Sequence, residues 1–297
     1  MPSIHNTYTD KYPWLLKTNS IEEYLPPEYY SYLLKGYSFN GRMDTIFPKS
    51  FIQNATPGTV LELGCGGGRV SEVMMRALPE AHFTLTDLSE RMIAYSKVRF
   101  SKKSNVSFVV TDSIDFLSNV EQKYDFVYSL WSFSHSSHLH IHRLGYERAA
   151  KHIRRIMKHF IRNNLSQGAK FFLMHFDSMS DEQRILMRQW KRVYPEFSDI
   201  SQQSPSKRIL DSILIDMDNR NEIVLRVEHN VGDPIIYESQ SELLEIFMNF
   251  HLETFFNDRP QLKTVIEDLK RQSLKYRRAD GTYVICPGCY IYKCEKR

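Results

Sequence analysis

The sequence predicts an α/β protein built on a doubly wound, mostly parallel β-sheet. Three observations favour this class. Strand-like and helix-like segments alternate between residues 59 and 176, a glycine-rich turn joins the first pair, and acidic or histidine residues follow several strands. Such alternation is typical of a parallel sheet covered by helices on both faces. Ligands of these sheets bind beyond the carboxyl ends of the strands.

The core elements follow from local patterns of apolar residues. Short runs rich in β-branched and aromatic residues predict strands over 59–64, 82–87, 105–112, 124–131 and 168–176. Apolar residues spaced three to four positions apart predict helices over 69–79, 89–100 and 143–165. Ser89 is the expected N-cap of the second helix. Two further strands are expected in "HLETFF" (251–256) and "CYIYKCEK" (289–296).

Four segments describe the predicted organisation. The aromatic-rich residues 1–50 are expected to form an N-terminal cap of short helices, followed by the ligand-binding core over 51–177. Residues 178–240 are expected to form an insertion after the fifth strand, with one helix and a hairpin made by 222–230 and 235–239. This insertion is predicted to act as a lid over the strand ends. Residues 241–297 then complete the core sheet.

Composition excludes several classes of protein. The chain has 297 residues, 42% of them apolar, and a net charge of +4. This charge is too mild to favour nucleic acid or a membrane surface as partner. The first residues show no signal-peptide pattern, and no apolar run is long enough to cross a membrane. Four cysteines do not suggest a disulfide framework. We therefore expect a cytoplasmic protein.

The turn after the first strand, "ELGCGGG" (62–68), carries the main chemical signal. A strand, a glycine turn and a helix start let a ligand approach backbone N–H groups closely. The dinucleotide fingerprint G-x-G-x-x-G would need a glycine where Arg69 stands. Glu62, two residues before Gly64, would repel a phosphate but suits a ligand with a cationic end.

This turn resembles the E/D-x-G-x-G-x-G loop of class I S-adenosylmethionine (SAM)-dependent methyltransferases of the small-molecule type. SAM has an ammonium and a sulfonium group and no phosphate, so the acidic residue is consistent with it. The resemblance covers about residues 58–176 closely and the remainder loosely. It implies a Rossmann-like sheet of seven strands, SAM as cofactor and S-adenosylhomocysteine (SAH) as product.

The resemblance also implies a set of cofactor-binding residues. Asp87 would bind the ribose hydroxyls and Asp112 would contact the adenine amine. A weaker correspondence places Tyr37 and Arg42 on the SAM carboxylate, although a packed Tyr and a surface Arg explain them equally well. The full set is Tyr37, Arg42, Glu62, Gly64, Gly66, Gly68, Asp87, Leu88, Asp112, Ser113 and Leu130.

Methyl transfer needs an aligned acceptor and, where the acceptor carries a proton, a base. Histidine suits that role near neutral pH. His135 is the first candidate for the general base, with a hydrogen-bonded wall residue as the alternative, and His138 is the second candidate. The expected substrate-binding residues are Trp131, Phe133, His175 and Asp177, of which the two aromatic residues could equally belong to the core.

Metal binding is not favoured by the sequence. If residues 138–142 were extended, His138, His140 and His142 would share one face and could bind zinc. No paired ligand cluster follows at a fixed spacing, so no metal is predicted. Cys286 and Cys289 flank a Pro-Gly turn and are expected to act as small apolar residues.

The favoured acceptor is an O or N atom of a small metabolite. The loop after the fourth strand lacks the N/D-P-P-Y motif of many nucleic-acid base methyltransferases and the paired glutamates of protein-arginine enzymes. Two alternatives stay open. One is a tRNA or protein methyltransferase that docks through the basic helix 143–165, and the other is a SAM-binding regulator without catalysis. The sequence does not indicate an oligomeric state.

Overall fold

The computed structural model describes residues 8, 10–16, 26–197 and 202–297. Part of the predicted cap (1–7, 9 and 17–25) and residues 198–201 of the predicted insertion lie outside the described residues. Within the described ranges, no helix combines the length and the apolar character that crossing a bilayer requires.

Strands and helices alternate along the described chain. The strands are β1 (Ser38–Phe39), β2 (Arg42–Met43), β3 (Thr59–Leu63), β4 (His82–Asp87), β5 (Val106–Val110), β6 (Tyr124–Leu130), β7 (Leu165–Phe176), β8 (Ile223–Val231), β9 (Ile235–Tyr237), β10 (Tyr283–Ile285) and β11 (Gly288–Lys296). The α-helices are α1 (Pro27–Leu33), α2 (Ile46–Phe51), α3 (Arg69–Ala77), α4 (Glu90–Arg99), α5 (Ser113–Asn119), α6 (Ser132–Leu144), α7 (Tyr146–Asn163), α8 (Asp181–Trp190), α9 (Pro205–Asn219), α10 (Gln240–Ile246) and α11 (Leu262–Ser273). A π-helical turn, Phe247–His251, continues α10.

The central sheet has seven strands in the order β5-β4-β3-β6-β7-β11-β8. Strands β3 to β7 run parallel, and β11 is antiparallel to both of its neighbours. The strand order reverses between β3 and β6, which opens a crevice at their carboxyl ends. The predicted doubly wound, mostly parallel seven-stranded sheet is therefore confirmed.

The pairing of the last strands differs from the prediction. The predicted hairpin of 222–230 and 235–239 does not form. Instead β8 pairs with β11, with Glu228 opposite Ile291, and β9 pairs with β10 in a separate two-stranded sheet. The predicted strand 251–256 is also wrong, because this segment continues the π-helical turn into turns. The central sheet thus takes a strand from within the segment predicted as an insertion.

The segment after β6 is a helix and not an extended chain. Trp131 has φ of +66°, in the left-handed region, and turns the chain from β6 directly into α6. Gly145, with φ of +75°, separates α6 from α7, so α7 begins at Tyr146 and not at residue 143.

Two apolar clusters cover the faces of the sheet and hold the site in place. One face packs against α5, α6, α7 and α9, and the predicted apolar stripe of α7 is buried there. The other face packs against α3, α4 and the cap helices. A third cluster joins α8, α10 and α11 around the buried Phe247. This third cluster fixes α8 against α10 and α11.

Candidate active site

A cavity of about 360 Å³ lies at the carboxyl ends of the central strands. This volume is within the range of small-molecule sites. The predicted site residues that line it are Tyr37, Glu62, Gly64, Gly66, Asp87, Leu88, Asp112, Ser113, Leu130, Trp131, His135, His138 and His175. Arg42, Gly68, Phe133 and Asp177 do not line it. The structure thus brings most of the predicted residues to one cavity, while their individual roles stay predictions.

The three spaced glycines of the turn have left-handed backbone conformations and different surroundings. A Cβ on Gly64 would lie 2.2 Å from Cβ of Ser132, and a Cβ on Gly68 would lie 2.5 Å from the ring of Phe100. These two glycines are required by packing within the protein. A Cβ on Gly66, at φ of +52°, would meet no atom within 4 Å. Because Gly66 lines the cavity, its free side is available to a ligand.

The end of β4 is tied to this turn through Asp87. One carboxylate oxygen, Oδ2, accepts from the backbone N–H of Gly66 at 2.8 Å, and Oδ1 accepts from Ser89 at 2.9 Å. Burial raises the pKa of Asp87, and these two hydrogen bonds act in the opposite direction. Each carboxylate oxygen keeps a further lone pair, so Asp87 fits a pair of ribose hydroxyls.

Glu62 is a buried carboxylate near the carboxyl end of β3, with only 2% of its surface exposed. Its Oε2 accepts hydrogen bonds from the hydroxyl of Ser71 and, at 2.8 Å, from the hydroxyl of Tyr128. Burial raises the pKa of Glu62 to about 8. A cationic ligand would favour the ionised form of the Glu62 carboxylate, whereas a phosphate would be repelled by it. Glu62 therefore fits the positive end of SAM better than a phosphate.

Asp112 caps the first turn of α5 and is held by side chains from α6. Its Oδ1 accepts from the backbone N–H of Ile114 at 2.9 Å, from the Ser136 hydroxyl at 2.9 Å and from Nε2 of His140 at 3.1 Å. Burial opposes ionisation of Asp112, but the hydrogen bonds from His140 and Ser136 outweigh it and lower the pKa. Sequence reasoning missed both supporting residues.

Helix α6 presents two different faces. Residues 135, 138, 139 and 142 share the helical spacing that faces the cavity, and all four line it. His140 does not line the cavity and binds Asp112, while Ser136 both lines the cavity and binds Asp112. His138, His140 and His142 do not share one face, because this segment is helical and the extended chain that such a zinc site would require does not form. Within the described ranges, a different group of ligand atoms, on Asp115, His140 and His152, lies within 4.8 Å of one another and could hold a metal ion.

The three predicted cavity histidines differ in environment. His135 has 47% of its side chain exposed, and its Nδ1 lies 3.5 Å from Oε1 of Glu253. Nε2 of His138 is buried and has no hydrogen-bond partner among the described residues. Burial lowers the pKa of His138 to about 3. Among the three predicted cavity histidines, His135 thus combines solvent access with a neighbouring carboxylate.

His175 is fully engaged by its surroundings. Its Nδ1–H donates to the carbonyl oxygen of Phe176 at 2.8 Å, so Nε2 can accept from the Ser206 hydroxyl at 3.0 Å. Burial lowers the pKa of His175 to about 4. A neutral imidazole with a hydrogen bond at each ring nitrogen forms part of the cavity wall and is poorly suited to accept a proton.

Three predicted residues lie away from the cavity. Arg42 is exposed on the β1–β2 hairpin, where it pairs with Phe39. Phe133 is buried in the core cluster beneath α6, because the helical turn directs its ring to the sheet. Asp177 accepts from Nε2 of His229 at 2.8 Å and from the backbone N–H of Met179 at 2.9 Å, and so stabilises the chain after β7.

Arg69 is the arginine that lines the cavity within the described ranges. Its guanidinium forms two hydrogen bonds to the buried Asp44, at 2.6 and 2.5 Å, and Asp44 also accepts from Nε1 of Trp131 at 2.8 Å. The buried Tyr37 next to Trp131 donates its hydroxyl to Glu182. The position of Arg69, directly after the last glycine, was the available sequence signal for it.

Glu253 is a further cavity residue that sequence reasoning missed. It has φ of +51°, and the buried Thr254 that follows has φ of +60°. Left-handed conformations cost energy for residues other than glycine, and most of all for a β-branched residue. This backbone places the Glu253 carboxylate next to His135. The sequence held no signal for it, because "HLETFF" has the pattern of a strand.

Comparisons with known proteins support the same interpretation of the core. Residues 60–159 match a family model described as a methyltransferase domain. The chain is 43% identical over 74 residues to malonyl-[acyl-carrier protein] O-methyltransferase of Bacillus anthracis, covering 25% of this chain and 26% of that protein. It is 32% identical over 74 residues to malonyl-[acyl-carrier protein] O-methyltransferase 1 of Ilyobacter polytropus, covering 25% and 27%. The matches thus span about a quarter of these relatives' length.

A solved structure shows the same fold. The YcgJ protein of Bacillus subtilis superposes with a TM-score of 0.51 at 13% sequence identity, covering 85% of this chain and 97% of that one. At this identity the likeness concerns the fold alone. The family match, the strand order and the glycine turn together identify the part of the chain around residues 60–159 as a SAM-dependent methyltransferase domain with a Rossmann-like sheet.

Proposed function

We propose that this protein is an enzyme that transfers the methyl group of SAM to an oxygen or nitrogen atom of a small metabolite, with SAH as product. The observation that carries the proposal is a single cavity that joins the glycine turn and Asp87 to the histidine-bearing face of α6. SAM supplies a methyl group on a positively charged sulfur, from which an acceptor can take it by direct displacement. The protein has to hold SAM, orient the acceptor and remove the proton of the acceptor.

The cofactor half of the cavity is assigned to the strand ends. In this proposal Asp87 binds the ribose hydroxyls, Asp112 binds the adenine amine, and Glu62 favours the cationic end. The open side of Gly66 lets the ligand lie against the backbone. Tyr37, buried and donating to Glu182, closes the cavity from the cap side and limits the access of water.

The acceptor half is assigned to α6 and its neighbours. His135 would accept the proton of the acceptor and release it to solvent, because it is half-exposed and next to Glu253. The carboxylate of Glu253 would orient the imidazole and stabilise its charged form. His138 would act as a neutral hydrogen-bonding partner of the acceptor, since its lowered pKa makes it a poor base. His135 therefore stays the first candidate for the general base.

The charge of the cavity favours a neutral acceptor over a free carboxylic acid. Within the described ranges, Arg69 is the arginine of the lining, and its guanidinium is already paired with Asp44. A malonyl group, which the named relatives methylate on a carrier protein, would have to compete for that guanidinium. A carrier-bound acid is therefore the second acceptor class to test, after hydroxyl and amine compounds.

The experiment is a transfer assay with methyl-labelled SAM and a panel of phenols, alcohols, amines, carboxylic acids and malonyl-acyl carrier protein. We expect label in a hydroxyl or amine compound, and a large loss of that label with His135→Asn. Transfer that is confined to the acyl carrier substrate would replace the small-metabolite proposal. A chain that binds SAH but labels no compound would support the non-catalytic regulator instead.

A further inference from the structure

Four adjoining aromatic rings form one wall of the cavity. It consists of Trp190 at the end of α8, Tyr194 and Phe197 just beyond it, and Phe255 after the π-helical turn. The ring centroids of Trp190 and Phe255 are 5.2 Å apart, those of Trp190 and Tyr194 5.8 Å, and those of Tyr194 and Phe197 6.2 Å. A wall of adjoining rings offers the most contact to a ligand that is itself flat and aromatic.

An unpaired polar atom lies next to this wall. The ring of His138 meets Phe197 edge to face, with centroids 4.7 Å apart, while its buried Nε2 has no partner among the described residues. A buried nitrogen without a hydrogen bond is unfavourable, so a ligand that supplies one gains affinity. A neutral imidazole nitrogen is either a donor or an acceptor, and a hydroxyl group can pair with either form.

The charges around the wall disfavour a cationic ligand next to Phe255. The guanidinium of Arg259 lies 3.8 Å from the centroid of the Phe255 ring and thus already occupies a cation–π position. Of the acidic side chains in the lining, Glu62, Asp87 and Asp112 belong to the strand ends, Glu253 is close to His135, and Glu196 is only half-buried. A neutral ring avoids repulsion from Arg259.

We infer that the acceptor is a planar aromatic molecule with a neutral hydroxyl group, its ring against Tyr194 and Phe197 and its hydroxyl at Nε2 of His138. This inference rests on the proposed function and names its substrate class. The acceptor oxygen forms a bond to the methyl carbon as the bond from that carbon to sulfur breaks. The electron pair of the broken bond stays on sulfur, and the hydroxyl proton passes to His135.

The test compares two probes that differ by one group. Umbelliferone is a planar phenol, and coumarin has the same ring system without the hydroxyl. Binding of each to the protein saturated with SAH is measured by calorimetry slightly below neutral pH, where the phenol is protonated. We expect umbelliferone to bind roughly tenfold more tightly than coumarin, because only umbelliferone carries the hydroxyl group that is proposed to pair with the buried nitrogen. His138→Leu should remove this difference, and Phe197→Ala should weaken both probes.

Matched variants separate binding from folding. His159→Leu changes an exposed histidine of α7, and Phe51→Ala changes a half-buried ring that packs on Phe172 outside the cavity lining. Both should leave probe affinity unchanged, and SAH affinity should be the same in all four variants. If either cavity variant lost SAH affinity, Phe197→Leu and His138→Gln would replace it in the same comparison.

Two results would overturn the inference while leaving the proposed function intact. In the first, the SAH complex binds neither probe. In the second, it binds both equally and His138→Leu makes no difference. Failure of SAH to bind would instead count against the proposed function, and the probe comparison on the free protein would then decide the aromatic site by itself.

Discussion

The backbone N–H of Gly66 donates a hydrogen bond to Oδ2 of Asp87 over 2.8 Å. This bond joins the glycine turn after β3 to the end of β4, two elements that are neighbours in the sheet. It holds Gly66 in place on the cavity side and leaves the second lone pair of the carboxylate oxygen for a ligand. The glycine turn and the acid at the end of the next strand are thus fixed relative to each other.

Asp87→Asn should weaken SAH binding by at least roughly tenfold, because hydrogen bonds to a charged acceptor are stronger than those to a neutral one. Asp125→Asn is the matched control. Asp125 also binds backbone N–H groups before β3, accepting from Gly58 at 2.9 Å, but it does not line the active-site cavity. Calorimetry on both variants checks the prediction, and unchanged affinity in Asp87→Asn would contradict it.

Gly66→Ala should fold but bind SAH much more weakly than the parent chain. The left-handed backbone costs about 1–2 kcal/mol with an alanine, and the new Cβ enters space that the protein itself leaves empty. Gly41→Ala provides the control, since Gly41 has φ of +70°, no atom within 4 Å of a Cβ and a position on the β1–β2 hairpin. The two variants should lose similar stability in urea titrations. Equal SAH affinities for both would show that no ligand approaches Gly66.

Glu62 should make the free protein less stable as the pH rises. Its pKa is about 8 in the folded state, because of burial, against an ordinary value of 4.5. The folded state therefore holds the proton more tightly, so the contribution is present below about pH 4.5 and is lost as the pH rises to about 8. Glu62→Gln removes this pH-dependent contribution to the free energy of unfolding. The free energy of unfolding of the parent should fall relative to that of Glu62→Gln across this window, and parallel pH profiles would refute the assignment.

His135→Asn should lower the turnover number by roughly 10²- to 10⁴-fold while SAH affinity stays the same, because loss of a general base affects the chemical step. Glu253→Gln should cause a smaller loss, since it removes only the partner of His135. His82→Asn, at the exposed start of β4, is the control and should retain full activity. Steady-state kinetics with the acceptor found in the labelled assay gives the comparison. Full activity in His135→Asn would remove His135 from the mechanism.

The core strands and the glycine turn could be predicted because their signals are local. Strand β3 was expected over 59–64 and is observed at Thr59–Leu63, and β4 matches its predicted bounds at 82–87. Buried parallel strands are continuous apolar runs, and glycines mark the turn between strand and helix. The position of most predicted cofactor residues at one cavity follows from these elements, because the carboxyl ends of neighbouring parallel strands meet at one edge.

Helix α6 could not be recognised, because serine and histidine are weak helix formers. Its apolar side is carried by a few positions such as Phe133 and Ile141, which are buried in the core cluster. The helical spacing decides which side chains reach the cavity, and it places Phe133, an expected substrate-binding residue, in the core instead.

The last strands show the limit of local patterns. The "VGDP" segment between β8 and β9 has the composition of a hairpin turn, yet β8 pairs with β11, near the carboxyl end of the chain. Such pairings depend on sheet edges that are distant in sequence. The position of Glu253 depends on tertiary packing in the same way. Glu253 and Thr254 have left-handed backbone conformations in a segment whose sequence has the pattern of a strand.

The most direct test of the account is a calorimetric titration of the purified protein with SAH. We expect one molecule bound per chain, with an affinity that Asp87→Asn weakens and Asp125→Asn leaves unchanged. That result would place the cofactor at the glycine turn and the end of β4. Absence of binding heat and of any thermal stabilisation at millimolar SAH would contradict the central claim, and the glycine turn would then be a feature of packing alone.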